Sequence, residues 1–236
     1  MRKFDRNFVL GRLAAAAGLV LGLFAILAIA PPAQAQQMTF RLVKVGDQAK
    51  CGYSCPAVIA AEGEITNETP YDFVSFVENN VGRGDLHAIV FLDSPGGKVL
   101  ASMELGKVLR RLGAAAIVGR VDPATRRGLS DFVGARCLSA CVYALIGAKK
   151  RVVPPQSLVG IHRMFAYVDS QDPESSASVR YRRYDNGQMA AVLARYTGSM
   201  GVSPALISMA EHISSDRIHI MTRAEIARFH LASSRF

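Results

Sequence analysis

The chain has 236 residues and half of them are hydrophobic, enough for one sizeable core or two small ones. Its formal charge is +9, yet Lys and Arg interleave with aromatics only over a few residues at a time, as in RYRRY at 180–184, which argues against a nucleic-acid partner. The first 35 residues carry +3 of that charge, so the remainder is a mildly basic +6, suited to solubility or to an anionic envelope.

Residues 1–12, MRKFDRNFVLGR, are basic, and residues 13–30 are an unbroken apolar run. Pro31-Pro32 break any helix there, and Ala33-Gln34-Ala35 supplies small residues two apart. This reads as a secretory signal peptide cleaved after Ala35. An uncleaved anchor is the alternative, because the run comes close to spanning a bilayer. Either way, residues 36–236 are expected to be exported, periplasmic or secreted, and to touch a membrane only through the N-terminal segment. They are expected to form a single domain, since no linker rich in Pro, Gly or Ser divides them.

Further along, residues 40–45 alternate apolar and polar and predict an edge strand. The CGYSC turn follows, then a strand over 57–65. Pro70 opens a helix whose Phe73, Phe76 and Val77 share one face. Residues 87–92, HAIVFL, are a continuous apolar run after His87, the mark of a strand buried on both faces. The turn Asp93-Ser94-Pro95-Gly96-Gly97 leads into a helix ending at Gly113, and 114–121 predict another buried strand. Residues 122–136 hold turn formers and charge and read as a long loop. From CLSAC onward the chain is helical and apolar. Residues 151–162 read as strand, turn and strand, 174–200 as one long amphipathic helix or two, and 203–212 as another helix. A short strand over 218–221 precedes a last helix capped by Thr222. Strands alternating with helices predict an α/β domain with a mainly parallel sheet.

The four cysteines stand in two C-x-x-x-C pairs, and an even count in an exported chain predicts disulfides. Local pairing, Cys51 with Cys55 and Cys137 with Cys141, is the first expectation. A zinc site from the two pairs is the alternative, although zinc spacing is usually tighter and no histidine stands beside either pair.

Three stretches fit one mechanism. Asp93-Ser94-Pro95-Gly96-Gly97 follows a buried strand, where open α/β sheets place ligands, and its glycines let a backbone N–H face a substrate oxygen. A helix starting at CLSAC would put Ser139 at its N-terminus, with the Ala140 N–H free to stabilise an oxyanion. Gly160-Ile161-His162 ends an apolar strand with a histidine, the common base for a serine nucleophile. Each alone also reads as ordinary structure: a turn, a helix cap, a buried histidine.

Together these stretches resemble the serine peptidases of the Clp protease and crotonase-like superfamily. There a strand ends in Ser-Pro-Gly-Gly, a small-residue segment with a serine precedes a helix, and Ile-His ends a later strand. The resemblance covers roughly residues 57–232, and the serine-to-histidine gap of 23 residues suits the helix-then-strand connection. It implies a superhelix of β-β-α repeats, with Ser139 as nucleophile, His162 as general base, and Gly96 or Gly97 with Ala140 as the oxyanion hole. It also implies a homo-oligomer acting on peptide or protein substrates. No metal is expected and no cofactor, since export removes the coenzyme A of crotonase-type chemistry. A Clp-like peptidase outside the ATP supply would act alone on short or unfolded peptides, or be regulated by a lid.

The chain departs from the family pattern in three places. Cys137 and Cys141 frame the serine, and if helical they would share a face that Ser139 does not. The segment 122–136 is longer than the peptidases have, a candidate lid or oligomer contact. The acid is the third: Asp216 is nearest the expected position but about two residues early, and Asp185 is the alternate, which leaves room for a Ser-His dyad. His87, His212, His219 and His230 show no partner pattern and read as surface or packing residues. The competing functional class is an inactive envelope binding or scaffold protein on the same fold.

Overall fold

The computed structural model describes residues 36–46, 48–51, 54–80, 82, 86–121, 132–171 and 178–235. Residues 1–35, expected to be a signal or anchor, and 122–131, most of the candidate lid or oligomer contact, lie outside the described residues.

An edge strand opens the fold: β1 (Thr39–Lys44) pairs antiparallel with β2 (Ala57–Glu62). Between them stand the one-turn helix α1 (Gln48–Cys51) and the Cys51–Cys55 disulfide. α2 (Thr69–Glu78) has Pro70 in its first turn, where the missing N–H costs nothing, and buries Phe73. Phe40 covers Phe73 and Phe76 with ring centroids 5.1 and 6.0 Å away. β3 (Leu86–Asp93), α3 (Val99–Arg111) and β4 (Ala115–Val118) follow the predicted order.

The predicted loop 122–136 is flanked by pairing. β5 (Arg120–Val121) runs antiparallel to β6 (Phe132–Val133), and β7 (Arg136–Leu138) follows after Gly134 and Ala135. α4 (Cys141–Gly147) is buried along its whole length. β8 (Lys150–Val152) completes the main sheet, whose order is β1-β2-β3-β4-β8, with every pairing after the first parallel.

β9 (Leu158–Ile161) lies parallel to β7 in a second sheet. After it, β10 (Phe165–Gln171) and β11 (Ser178–Tyr184) form an antiparallel hairpin. This corrects the helix predicted from residue 174: the chain over 178–184 is strand, and only α5 (Gln188–Ser199) is helical. The cause is cross-strand. Tyr184 stands opposite Phe165 and Arg182 opposite Tyr167, while Arg182 covers the Phe165 ring at 4.7 Å and Arg180 the Tyr167 ring at 5.6 Å. α6 (Ala205–Glu211), β12 (His219–Ile220) and α7 (Arg223–Arg228) close the chain, with β12 antiparallel to β9. Thr222 caps α7 in a capping box with Glu225.

The core runs between the sheets and the helices: Leu92, Leu105, Leu109, Leu145, Ile146 and Leu193 are all but inaccessible. α3 and α4 touch through glycines. A Cβ on Gly106 would lie 2.8 Å from the Tyr143 carbonyl and 3.2 Å from Gly147 Cα. The buried C-terminus of α4 leaves carbonyls without helical partners, and arginines supply the donors. Arg110 Nε donates to the Gly147 carbonyl at 3.0 Å, and Arg151 donates to the Ala148 carbonyl at 3.2 Å. No helix among the described residues is long and apolar enough to cross a membrane.

Candidate active site

The turn after β3 is stitched to β7. Ser94 N–H donates to the Arg136 carbonyl at 2.7 Å and Leu138 N–H to the Ser94 carbonyl at 3.1 Å. Gly96 and Gly97 hold φ of 111° and 136°, open to glycine and strained for other residues. A Cβ on Gly96 would lie 2.7 Å from the Leu138 carbonyl and 2.9 Å from Ser139 Cβ, so this turn lies in backbone contact with the serine.

Their amides differ. Gly96 N–H donates to Ser94 Oγ at 3.1 Å. The Gly97 and Ala140 N–H groups have no hydrogen-bond acceptor among the described residues.

CLSAC is not helical from its start. Cys137 and Leu138 belong to β7, Ser139 and Ala140 turn, and Cys141 is the first residue of α4. The Cys137–Cys141 disulfide therefore spans a strand-to-helix turn rather than one helical face. Ser139 holds φ 53°, a left-handed conformation that costs free energy for any residue with a Cβ. Its N–H donates to the Gly160 carbonyl at 2.8 Å and its carbonyl accepts from Val142 N–H at 3.1 Å. Both cysteines of the bridge are fully buried. All four cysteines form the two local disulfides, which leaves no thiolate for the zinc alternative.

Parallel pairing sets Leu138 against Gly160, so His162, two residues on, emerges beside the serine turn. Ser139 and His162 line one cavity of about 10 Å³, walled by Tyr143, Ile161, Leu206 and Ile207. His162 Nδ1 lies 2.7 Å from the Arg163 carbonyl. A carbonyl only accepts, so in the neutral ring Nδ1 carries the proton and Nε2 is the lone-pair nitrogen. Among the described residues no hydrogen bond joins Ser139 to His162. Burial pushes the Tyr143 phenol up, and the Glu211 charge adds to it, so this wall of the cavity stays neutral.

The two carboxylates considered as acids are engaged elsewhere. Asp216 is exposed; a hydrogen bond from Ser214, its own amide, and the charges of Arg217 and Arg182 hold it below the usual range. Asp185 Oδ2 accepts from the N–H groups of Gly187, Met189 and Ala190 at 2.9, 2.8 and 3.1 Å and so caps the first turn of α5. Neither has a hydrogen bond to His162 among the described residues. Residue patterns also missed a pair: His219 Nε2 lies 3.0 Å from both oxygens of Glu225. The capping-box Glu225, six residues after a histidine, was the available signal.

No family model and no curated protein matches the sequence. The fold is similar to that of solved structures. One is a serine-to-alanine mutant of the 1510-N membrane-bound stomatin-specific protease, with a TM-score of 0.50 and 16% identity over 75% of this chain and 78% of that one. A lysine-to-alanine mutant of the same protease, in complex with a substrate peptide, matches with a TM-score of 0.50 and 16% identity over 75% and 74%. A ClpP1 mutant from Listeria monocytogenes matches with a TM-score of 0.44 and 16% identity over 72% and 84%. The architecture is the α/β, Clp protease-like fold with a mainly parallel sheet.

Proposed function

We propose that the chain is an exported serine hydrolase of the peptidase type, with a leader over 1–35 and one catalytic domain over 36–236. The observation that carries this reading is Ser139: a strained strand-to-helix turn holds it against the Gly96-Gly97 turn and in one cavity with His162. His162 Nε2 takes the hydroxyl proton as Ser139 Oγ attacks a peptide carbonyl. The N–H groups of Gly97 and Ala140 receive the oxyanion, Gly96 being tied to Ser94. His162 then protonates the leaving amine, and water releases the acyl group by the same steps in reverse. The Arg163 carbonyl holds the imidazole in the working tautomer, the orienting task that Asp216 was expected to perform.

Two disulfides suit an oxidising compartment outside the cytosol. The chemistry needs no cofactor. A homo-oligomer acting on peptides is the assembly we propose, in keeping with the Clp protease-like fold.

A second reading, a binding protein without turnover, is favoured by the narrowness of the cavity and the missing Ser139–His162 hydrogen bond. Such bonds are often loose without substrate and tighten when it binds. Labelling the non-reduced protein with a fluorophosphonate separates the two. Hydrolase chemistry predicts labelling that Ser139→Ala abolishes and His162→Ala lowers about 10²- to 10⁴-fold in rate. A folded, disulfide-intact protein that takes up no label would leave the binding reading standing.

A further inference from the structure

The Arg163 carbonyl that accepts from His162 Nδ1 has no sheet to hold it. Residues 162–164 lie between β9 and β10 and belong to neither strand. A peptide group outside a ladder can turn, and a carbonyl that turns away stops selecting the imidazole tautomer. Its direction has to be set by the rest of Arg163.

Three contacts hold that residue. Its N–H donates to the Ile213 carbonyl at 2.8 Å, just past the end of α6. Its guanidinium lies over the Tyr184 ring, 4.6 Å from the centroid, and the Tyr184 hydroxyl lies 2.8 Å from that of Ser215. Its Nε is closed off from solvent without a hydrogen bond among the described residues, and Glu211 Oε2 meets its charge at 3.4 Å. A planar guanidinium can stack on a ring with its face and meet a carboxylate with its edge. Arg163 thereby joins the base of the hairpin, the end of α6 and the proposed base. α6 also lends Leu206, Ile207 and Ala210 to the cavity that holds Ser139 and His162.

The ion pair does little for folding. The Arg163 and Glu211 side chains are 36% and 23% exposed, and pairs so open to water contribute little stability. Building on the hydrolase reading, we infer that Glu211 is a positioning residue: it fixes the Arg163 side chain, and with it the carbonyl that keeps the His162 proton on Nδ1. A carboxylate then serves the imidazole from one residue away, where a direct contact was expected of Asp216 or Asp185. Glu211 itself exchanges no proton during hydrolysis.

Two readouts on the full chain, under non-reducing conditions, test this. The first is fluorophosphonate labelling over a range of probe concentrations, which separates the maximal rate from the half-saturating concentration. Glu211→Gln and Arg163→Gln should each lower the maximal rate about tenfold, at unchanged half-saturation and unfolding midpoint. The double variant should fall no further, because both changes break one contact. Asp169→Asn, which releases Arg180 at the far end of the hairpin, is the control and should label at the parent rate. The second readout is the tautomer of His162 from long-range ¹⁵N–¹H correlation spectra, at a pH where the ring is neutral. Its signals are assigned by their loss in His162→Ala. The parent should carry the proton on Nδ1, and Glu211→Gln should shift it toward Nε2. A tautomer that ignores Glu211→Gln overturns the inference. So does a loss of about a hundredfold in the double variant, or a rate loss that follows a lowered unfolding midpoint. A parent that takes up no label removes the hydrolase reading, while the tautomer still decides whether Glu211 positions the ring.

Discussion

Ser139 spends conformational energy to stand where it does. A residue with a Cβ at φ 53° is kept there by its surroundings: the Gly160 carbonyl on its N–H, the Cys137–Cys141 bridge across it, and the Gly96 backbone against its Cβ. The bare face of Gly96 is therefore part of the turn. Gly96→Ala would place a Cβ 2.9 Å from Ser139 Cβ at a φ that disfavours it. The expected outcome is a stability loss of about 1–3 kcal/mol with a larger loss of fluorophosphonate labelling per folded molecule. Thermal unfolding and labelling of one preparation measure both. With Arg163 supplying a backbone carbonyl to His162, Asp216→Asn is expected to keep labelling close to the parent rate. A collapse to the His162→Ala level would put the carboxylate back in the mechanism. Ser139, His162 and the glycine turn could be singled out from residue types because the chemistry proposed for them lies in side chains or in glycine itself. The partner of His162 could not, since every residue has a carbonyl and only the fold decides which one faces the ring.

At the scale of the element, α7 shows a cap whose effect depends on pH. Burial opposes charge on Glu225, but hydrogen bonds from the Thr222 N–H, His219 and the Thr222 hydroxyl prevail and keep its carboxyl below the usual value. A depressed folded value means that this contribution is present above the ordinary carboxylate range and disappears as pH falls through the lowered value. Glu225→Gln should lower the unfolding midpoint at pH 7 and converge with the parent in acid. Denaturation curves at several pH values test this, and a constant difference would contradict it. Most elements were readable for simple reasons. An apolar run such as 88–92 has few alternatives to a strand, here buried over Val90–Leu92, and Thr222 with Glu225 is a local signature. The hairpin was not readable, because the pairs that stabilise β11, such as Arg182 with Phe165, come from residues on another strand. The turn at Ser139 was misread as helix for a similar reason: the hydrogen bond to Gly160 that ends β7 joins residues 21 apart.

Across the whole molecule, the two disulfides close very short loops. Chain-entropy reasoning assigns each about 2 kcal/mol. Dithiothreitol in the unfolding buffer should lower the thermal midpoint, and a Cys51→Ala/Cys55→Ala variant should isolate the share of the bridge remote from Ser139. No response to reductant after denaturation would exclude this contribution. The sheets and the core bring together segments that the chain keeps far apart, and one contact has a consequence at a distance. α3 begins just after Gly97, α4 begins just after Ala140, and the two helices meet backbone to backbone at Gly106 and Gly147. With no side chain between them, the helices form the two arms of a caliper. The gap between the Gly97 and Ala140 amides at its tips is set by how closely the arms touch farther down. A single methyl group at Gly147 would open that gap without coming near the serine.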